Sequence, residues 1–302
     1  MGYTNFPNGV TSFGVPLPNM TQDISGSTFF VDNNSGSDSN DGSSFERAFK
    51  TFAKAVAVNN IDIARGSDRW ARRNTIYYCA DTETATIVAF PNKCDVIGVG
   101  SYDANSKPGI TGNHAPVNTG NYGTRFINMW FKAPAVASPI ITLASTSSGI
   151  QFYGCTFDGV VGTVTTGITC TASPFLVVKN CDFFGGFATA NISIPTSTMI
   201  KLDITDNTMA GSLGTGITLG TVTTSYGGLI ARNIIKCAGV GITAAAAATT
   251  MVVGNYVSTD AGKGSGGAGA ITATAGYSLQ NYISAIGSTA GYNIIVPANG
   301  TI

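Results

Sequence analysis

Short segments in which apolar and polar residues alternate recur through the second half of the chain. In Val178–Phe183 the alternation surrounds a central cysteine, and it follows the period of a β-strand rather than that of an α-helix. Equivalent segments carry a cysteine or an asparagine at the same central position. These markers are spaced 26, 26, 26, 22 and 26 residues apart, and they are Cys155, Cys181, Asn207, Asn233, Asn255 and Asn281.

A repeat of about 26 residues with this alternation predicts stacked coils. One coil would form a few short strands joined by turns, and it cannot cover its own apolar face. Coils stacked about 4.8 Å apart would pair every strand in a parallel ladder and build one continuous core. The sequence therefore predicts an all-β fold, a single-stranded right-handed parallel β-helix (a solenoid), over residues 75–302.

Equivalent residues of stacked coils lie above one another, so the six markers are predicted to form a ladder. Asparagine amides can hydrogen-bond along the axis, and asparagine tolerates the left-handed backbone of a sharp turn. Cys155 and Cys181 would occupy the same ladder as small, buried thiols, which we expect to be reduced. A disulfide between the two is the alternative. The six cysteines show no C-x-x-C spacing and no adjacent histidine. We therefore expect no structural metal and no cofactor.

The N-terminal part of the chain reads as a cap for the solenoid. Phe45–Val58 places apolar residues at helical spacing and predicts an amphipathic helix. A solenoid exposes the core of its last coil and needs a cover there. Residues 28–74 are therefore assigned to a first strand and a capping helix, and Thr75–Cys79 and Asp95–Gly100 to strands of the first coils.

Residues 1–27 precede this cap as an extended, apolar arm. Each large apolar side chain in it would gain roughly 1.5 to 3 kcal/mol on burial. The arm can obtain this by packing on another subunit, as an attachment segment, or by folding back along its own β-helix. The side chains concerned are Tyr3, Phe6, Phe13, Val15 and Leu17.

Charge is scarce and balanced. The chain has 16 basic and 16 acidic residues, and only ten charged side chains follow Lys132. This balance offers no footprint for nucleic acid or an anionic membrane. We identify no signal peptide and no membrane span. Such sparsely charged coil surfaces are either flat Ser/Thr faces or faces covered by other subunits.

Four carboxylates are the candidates for polysaccharide cleavage, which needs two acids about 5 to 9.5 Å apart. Asp158, Asp182 and Asp206 are 24 residues apart, but they fall at +3, +1 and −1 relative to the markers. They therefore drift around the coil and need not share a face. Asp203 and Asp206 lie in one coil and are a second pair. We expect all four to be ordinary carboxylates of turns or strands.

Two further groups could serve binding. A basic patch with one aromatic residue, formed by Arg69, Trp70, Arg72 and Arg73, is a possible protein interface or a solvated connection. The single histidine, His114, lies in a polar segment and is expected at the surface. The second group consists of aromatic residues, which could line a sugar-binding face or belong to the core. They are Tyr122, Phe126, Trp130 and Phe131.

The order of segments in residues 28–110 resembles a known superfamily. Phe29–Gly42 (FFVDNNSGSDSNDG), Ala48–Ala55 (AFKTFAKA) and Val96–Gly100 (VIGVG) follow one another as strand, polar loop, capping helix and first coil. This arrangement is similar to the start of the pectate-lyase-like β-helix superfamily, and the repeats extend the resemblance to about residue 295. The superfamily contains lyases, hydrolases, tailspikes and structural proteins, so the resemblance implies the fold and leaves the function open.

Residues Tyr3–Pro16 resemble the N-terminal arms of tailed-bacteriophage virion proteins. This resemblance implies a structural virion protein, made in the host cytoplasm and without enzymatic activity. A capsid decoration (cement) protein is the first expectation, bound to the major capsid protein, with a tail protein as the second partner. A homotrimer is expected from the superfamily. The alternative is a tailspike that binds or cleaves a host surface polysaccharide.

Overall fold

The computed structural model describes residues 11–12, 15–16, 26–64, 72–79, 82–100, 107–116, 123–144, 149–159, 164–171, 173–224, 227–244, 249–259, 271–272, 277–285 and 291–295. Strands β1 (Thr11–Ser12) and β2 (Val15–Pro16) pair antiparallel within the N-terminal arm. A 3-10 turn, Phe45–Arg47, precedes the α-helix α1 (Phe52–Ala64).

The remaining strands build three faces. The first contains β3 (Thr28–Asp32), β4 (Asn74–Cys79), β6 (Cys94–Gly98), β8 (Arg125–Ile127), β11 (Ile150–Tyr153), β14 (Phe175–Lys179), β17 (Lys201–Thr205), β20 (Gly228–Ala231), β23 (Thr250–Val253) and the start of β26 (Tyr277–Ala285). The second contains β5 (Thr82–Thr84), β7 (Gly109–Thr111), β9 (Trp130–Lys132), β12 (Thr156–Gly159), β15 (Asp182–Gly185), β18 (Thr208–Ser212), β21 (Ile234–Cys237), β24 (Tyr256–Thr259) and the end of β26. The third contains β10 (Ile141–Leu143), β13 (Thr166–Cys170), β16 (Ala190–Met199), β19 (Thr215–Thr224), β22 (Ile242–Ala244) and β25 (Ile271–Thr272).

Each strand of a face pairs in parallel with its equivalent in the next coil. The predicted all-β parallel solenoid with a helix near its N-terminus is therefore confirmed. Right-handed coils are the sense we expect, because parallel crossovers are almost always right-handed. A final strand, β27 (Gly291–Ile295), pairs antiparallel with β26 and departs from the predicted parallel pattern.

The core is built from columns of like residues, because stacking places the same position of each coil in one line. Isoleucine repeats through the third face, and each member is almost fully buried: Ile141, Ile168, Ile192, Ile217, Ile242 and Ile271. Phenylalanine forms the early columns of the first two faces, where the rings of Phe126 and Phe152 stack at 5.5 Å and those of Phe157 and Phe183 at 4.5 Å. Phe126 and Phe131 thus belong to the core and cannot line a sugar-binding face.

A single left-handed residue turns the chain from the first face to the second. The sequence predicts this conformation at the markers, but it occurs one residue earlier, which leaves the marker side chains free to point into the corner. The φ angles at these positions lie between 52° and 64°, and the residues are Gly154, Asn180, Asp206, Arg232, Gly254 and Gln280.

The markers themselves form one buried column. Each asparagine amide donates to the Oδ1 of the next at 2.9 Å, from Asn207 through Asn233 and Asn255 to Asn281. Each amide nitrogen also donates to a carbonyl of the first face, and each Oδ1 also accepts the N–H of the preceding marker. Cys155 and Cys181 continue the column as free buried thiols.

The capping helix begins at Phe52, so the predicted start at Phe45 is wrong. Phe49 does not join the helix, because it forms a parallel bridge with Val31 at the end of the sheet. Two carboxylates then satisfy N–H groups at the start of the helix: Asp38 accepts those of Lys50 and Thr51 at 3.0 Å, and Glu83 accepts that of Phe52 at 3.1 Å.

Candidate functional site

Two of the candidate carboxylates lie on the outer surface of the second face. Asp158 is aligned with Phe184 and Asp182 with Thr156 across adjacent strands. Residues two apart on a strand point to the same side, so Asp158 and Asp182 share a face, with their Cα atoms about 8 Å apart by strand geometry. From their offsets of +3 and +1 relative to the markers, the sequence analysis does not require Asp158 and Asp182 to share a face. The structure brings this pair together and excludes Asp206 from it.

Trp130, Lys132 and Phe184 surround this pair, and we call these five residues the Asp158 surface. Lys132 is aligned with Asp158 on the neighbouring strand. Its Nζ lies 3.7 Å from the centre of the Trp130 ring and donates to Thr82 Oγ1 at 3.0 Å. Glycoside hydrolysis uses two carboxylates on one face, and this pair meets that condition at the level of the strand positions. The rings of Trp130 and Phe184 are half-buried, and Lys132 covers one face of Trp130.

Asp203 lies apart from this surface, on the first face, where it is almost completely buried. Its Oδ2 lies 2.8 Å from Lys179 Nζ and 3.9 Å from Lys201 Nζ, and its Oδ1 accepts the Thr205 hydroxyl at 3.1 Å. Lys179 on β14 thus links to Asp203 on β17 in the next coil, while Lys201 and Thr205 contact Asp203 from its own strand. This arrangement leaves Asp203 without the access that a catalytic acid needs.

Asp206 occupies the corner and pairs with the residue one coil further on. Arg232 donates to both carboxylate oxygens, Nε to Oδ1 at 2.6 Å and a terminal nitrogen to Oδ2 at 2.7 Å. The hydrogen bond from Arg232 lowers the pKa of Asp206. Both residues are left-handed, so this exposed ion pair bridges two turns. Asp203 and Asp206, the alternative pair, therefore serve different structural contacts.

The basic patch is only partly within the described residues, because Arg69 and Trp70 lie outside them. Arg72 is half-buried. The guanidinium of Arg73 points inward, where its Nε donates to Asp95 Oδ1 at 2.6 Å and a terminal nitrogen donates to the Gly123 carbonyl. Arg125 also donates to Asp95 through Nε at 2.6 Å. Arg73 thus links the segment that follows α1 to the first coils through these hydrogen bonds.

Lys107 is a buried cation that the sequence did not single out. Its Nζ donates to the Gly154 carbonyl at 2.8 Å and to Thr156 Oγ1 at 2.9 Å, on either side of the marker Cys155. A lysine in a polar segment before Pro108 carries no pattern that predicts burial. Only the register, which brings Gly109 beside Trp130 and Trp130 beside Thr156, places it there.

His114 is buried, so the expected surface position is wrong. It forms a parallel bridge with Ile141 at the start of the third face, and its ring meets Phe131 edge-on at 5.8 Å. Nδ1 accepts the Ile87 N–H at 3.2 Å, while Nε2 has no hydrogen-bond partner. Burial lowers the pKa of His114 from its ordinary 6.5 to about 4.

This shift predicts a loss of stability on mild acidification. The unfolded chain takes up a proton near pH 6.5 and the folded chain only near pH 4, so stability falls as the pH drops between these values. We expect the free energy of unfolding to fall by about 1 kcal/mol between pH 7 and pH 5.5. Urea unfolding of wild type and His114→Asn at both pH values measures it. The variant should lack this term, and an equal pH dependence in both proteins would contradict the assignment.

A narrow apolar groove of about 240 Å³ runs between α1 and residues 85–89. Its lining includes Phe52, Val56 and Ile87, with Val88 exposed at the rim. Within the described residues, no group of three or more His, Cys, Asp or Glu side chains could hold a metal ion. No described helix has the length and apolar character to cross a membrane.

The fold and these surfaces define the protein as a parallel β-solenoid with one surface that carries paired carboxylates. Comparison with protein-family models and with curated proteins finds no match. Among solved structures the chain is similar to the Dettilon tailspike protein (gp208), at 14% sequence identity and a TM-score of 0.35. The matched region covers 76% of this chain and 57% of that protein, so the chain spans little more than half its length.

Proposed function

We propose that the protein is a structural component of a tailed-phage virion, a capsid decoration protein anchored through residues 1–27. The observation that carries the proposal is the use of charge in the solenoid. Asp95 with Arg73 and Arg125, Asp203 with Lys179, and Asp206 with Arg232 all join one coil to another. These ion pairs link successive coils, as suits a protein whose solenoid serves as a scaffold. An apolar arm ahead of such a scaffold suits attachment to a larger assembly.

The major capsid protein is the first partner in this proposal, and a tail protein is the second. The arm carries the attachment because its large apolar side chains gain free energy when a partner covers them. Tyr3, Phe6, Phe13 and Leu17 lie outside the described residues, and the structure describes only the backbone of Val15, in the short hairpin of β1 and β2. Decoration needs no catalysis and no cofactor.

The Asp158 surface favours a second candidate, a tailspike or receptor-binding protein that binds or cleaves a host polysaccharide. Asp158 and Asp182 lie on the same side of adjacent strands, and the partly exposed ring of Phe184 lies beside Asp158. This reading requires that the two carboxylates reach the same bond of a bound glycan.

The number of copies bound to a particle separates the two candidates. Full-length protein and a form lacking residues 1–27 are incubated with particles stripped of the protein, and bound copies are counted after sedimentation. Decoration predicts hundreds of copies of the full-length form and few of the truncated form. Equal binding of both forms would refute anchoring by the arm. Binding in a handful of copies would place the protein on the tail and make Asp158→Asn and Asp182→Asn the next variants to assay on host polysaccharide.

A further inference from the structure

The groove between α1 and residues 85–89 is an apolar site that the solenoid leaves open. Small side chains on both of its walls make room for it, Ala53 and Ala57 on the helix and Ala85 and Ala89 on the opposite side. The groove has a volume of about 240 Å³. A cavity of about 150 Å³ already admits a benzene ring, so this groove can hold one or two large apolar side chains.

The chemistry of the lining favours an apolar ligand over a sugar. Among the described residues that line the groove none is charged, and the polar ones are Asn60 and Thr86. The amide of Asn60 is already engaged, because its Oδ1 accepts the Asn92 N–H at 2.7 Å and its Nδ2 donates to the Phe90 carbonyl at 3.3 Å. A sugar would lose hydrogen bonds to water that this lining cannot replace, whereas an apolar side chain has none to lose.

The N-terminal arm leaves the solenoid beside this groove. Ser27 donates through its N–H to Asn74 Oδ1 at 2.8 Å and through its hydroxyl to Asp62 Oδ2 at 3.0 Å. Asp62 lies on α1 two residues beyond Asn60, which lines the groove. Val56, halfway along the helical wall, is six residues from Asp62, or about 9 Å at the helical rise.

The segment Val15–Pro18 (VPLP) is the part of the arm that suits the groove. Val15 and Leu17 each precede a proline, which restricts both to an extended backbone, and Val15–Pro16 forms the strand β2. Side chains two residues apart on an extended strand lie on the same side, and a preorganised segment loses little conformational freedom on binding. Leu17 precedes Ser27 by ten residues, which can span up to about 33 Å and so reach the groove.

We propose that the groove is the docking site of Val15 and Leu17 in the free protein. The covalent link makes a weak contact sufficient. A short flexible linker gives an effective concentration of about 1 mM, so an intrinsic dissociation constant of about 100 µM keeps the segment docked in about nine-tenths of the molecules. If the arm also anchors the chain to a particle, as proposed above, the groove covers these side chains until the particle takes them over.

Proteolysis of the arm in the full chain, without particles, tests the proposal. Chymotrypsin cleaves after Phe13 and must bind the residues that follow it, so it cuts only molecules whose segment is free. Val88 lies at the rim of the groove and is 62% exposed, and Val136 lies outside the groove and is 47% exposed. We expect Val88→Glu to accelerate this cleavage about five- to tenfold, because it frees the docked nine-tenths of the molecules. Val136→Glu should leave the rate unchanged.

Two further variants test the groove and the arm separately. Ala57→Phe fills the groove without adding a charge, and it should accelerate the cleavage as Val88→Glu does. On the arm, Leu17→Asp should speed the hydrogen exchange of residues 85–89, whereas Tyr3→Asp, outside the docked segment, should not. Circular dichroism checks that each variant is folded.

Three results would overturn the proposal. Equal cleavage rates in wild type, Val88→Glu and Ala57→Phe would show that the segment does not occupy the groove. An equal acceleration by Val136→Glu would trace the effect to the added charge. Protection that increases with protein concentration would assign the groove to the arm of a second copy. Because no particle enters the assay, failure of the anchoring role leaves its outcome unaffected.

Discussion

Replacement of Asn233 by leucine is expected to lower the free energy of unfolding by roughly 3 to 6 kcal/mol. The Asn233 amide donates to the Ile204 carbonyl and to Asn255 Oδ1, both at 2.9 Å, and its Oδ1 accepts the backbone and side-chain N–H groups of Asn207. All three asparagines are almost completely buried. Leucine has nearly the same size but none of these bonds. At least three buried polar groups lose a partner, and each costs about 1 to 3 kcal/mol.

Chemical unfolding of wild type and Asn233→Leu measures this loss, and a double-mutant cycle assigns it. If the ladder bond between Asn207 and Asn233 carries part of the loss, the double variant Asn207→Leu with Asn233→Leu loses less than the sum of the single variants. A loss below about 1 kcal/mol for Asn233→Leu would mean that the orphaned groups find other partners, and the ladder would then contribute little.

The ladder could be predicted from the sequence because stacking brings residues that are one coil length apart in the sequence into contact. A spacing of 26 residues places Asn207 and Asn233 in adjacent coils, and the shorter spacing from Asn233 to Asn255 keeps the same contact. The left-handed residue before each marker was not accessible in this way. Most of the corner residues are Gly, Asn or Asp, which tolerate this conformation, but Arg232 and Gln280 are not of these types, so the signal is incomplete.

The pairing of Asp158 with Asp182 could have been predicted from the same spacing. Their offsets from the marker, +3 and +1, differ by two, and residues two apart on a strand return to the same side. Asp206 has the offset −1, which is the position of the corner residue. It therefore faces Arg232, the corner residue of the next coil.

Other errors arose where tertiary contacts override local pattern. Phe45, Phe49 and Phe52 have helical spacing, yet the sheet takes Phe49 because Val31 leaves its edge open for a bridge. His114 lies among polar residues, but the third face begins there and its ring replaces an apolar side chain beside Phe131. The burial of Lys107 also depends on tertiary contacts. Its ammonium group donates to the Gly154 carbonyl and to Thr156 Oγ1, which lie 47 and 49 residues further along the chain.

Asn191 shows the opposite of the ladder, a buried amide without bonds. The side chain is fully buried, and neither its Oδ1 nor its Nδ2 has a hydrogen-bond partner. The register places Asn191 level with Gly167 and Gly216 in the flanking coils. A Cβ added to Gly167 would approach the Asn191 carbonyl oxygen at 2.7 Å and Phe183 at 2.9 Å, and one added to Gly216 would approach the Gly241 carbonyl oxygen and Ile235, both at 2.5 Å. The amide is therefore packed closely between two coils, and its polar atoms have no hydrogen-bond partner there.

Asn191→Leu is consequently expected to raise the free energy of unfolding by about 2 kcal/mol, the reverse of the same substitution at Asn233. Leucine fills the volume of the amide and removes two polar atoms that lose their water on folding without compensation. Asn191→Ala removes the same atoms but leaves a void, so its gain should be smaller, or become a loss. Urea unfolding of both variants beside Asn233→Leu measures the contrast. A destabilised Asn191→Leu would show that the amide holds a buried water that leucine displaces, and that the polar group is compensated after all.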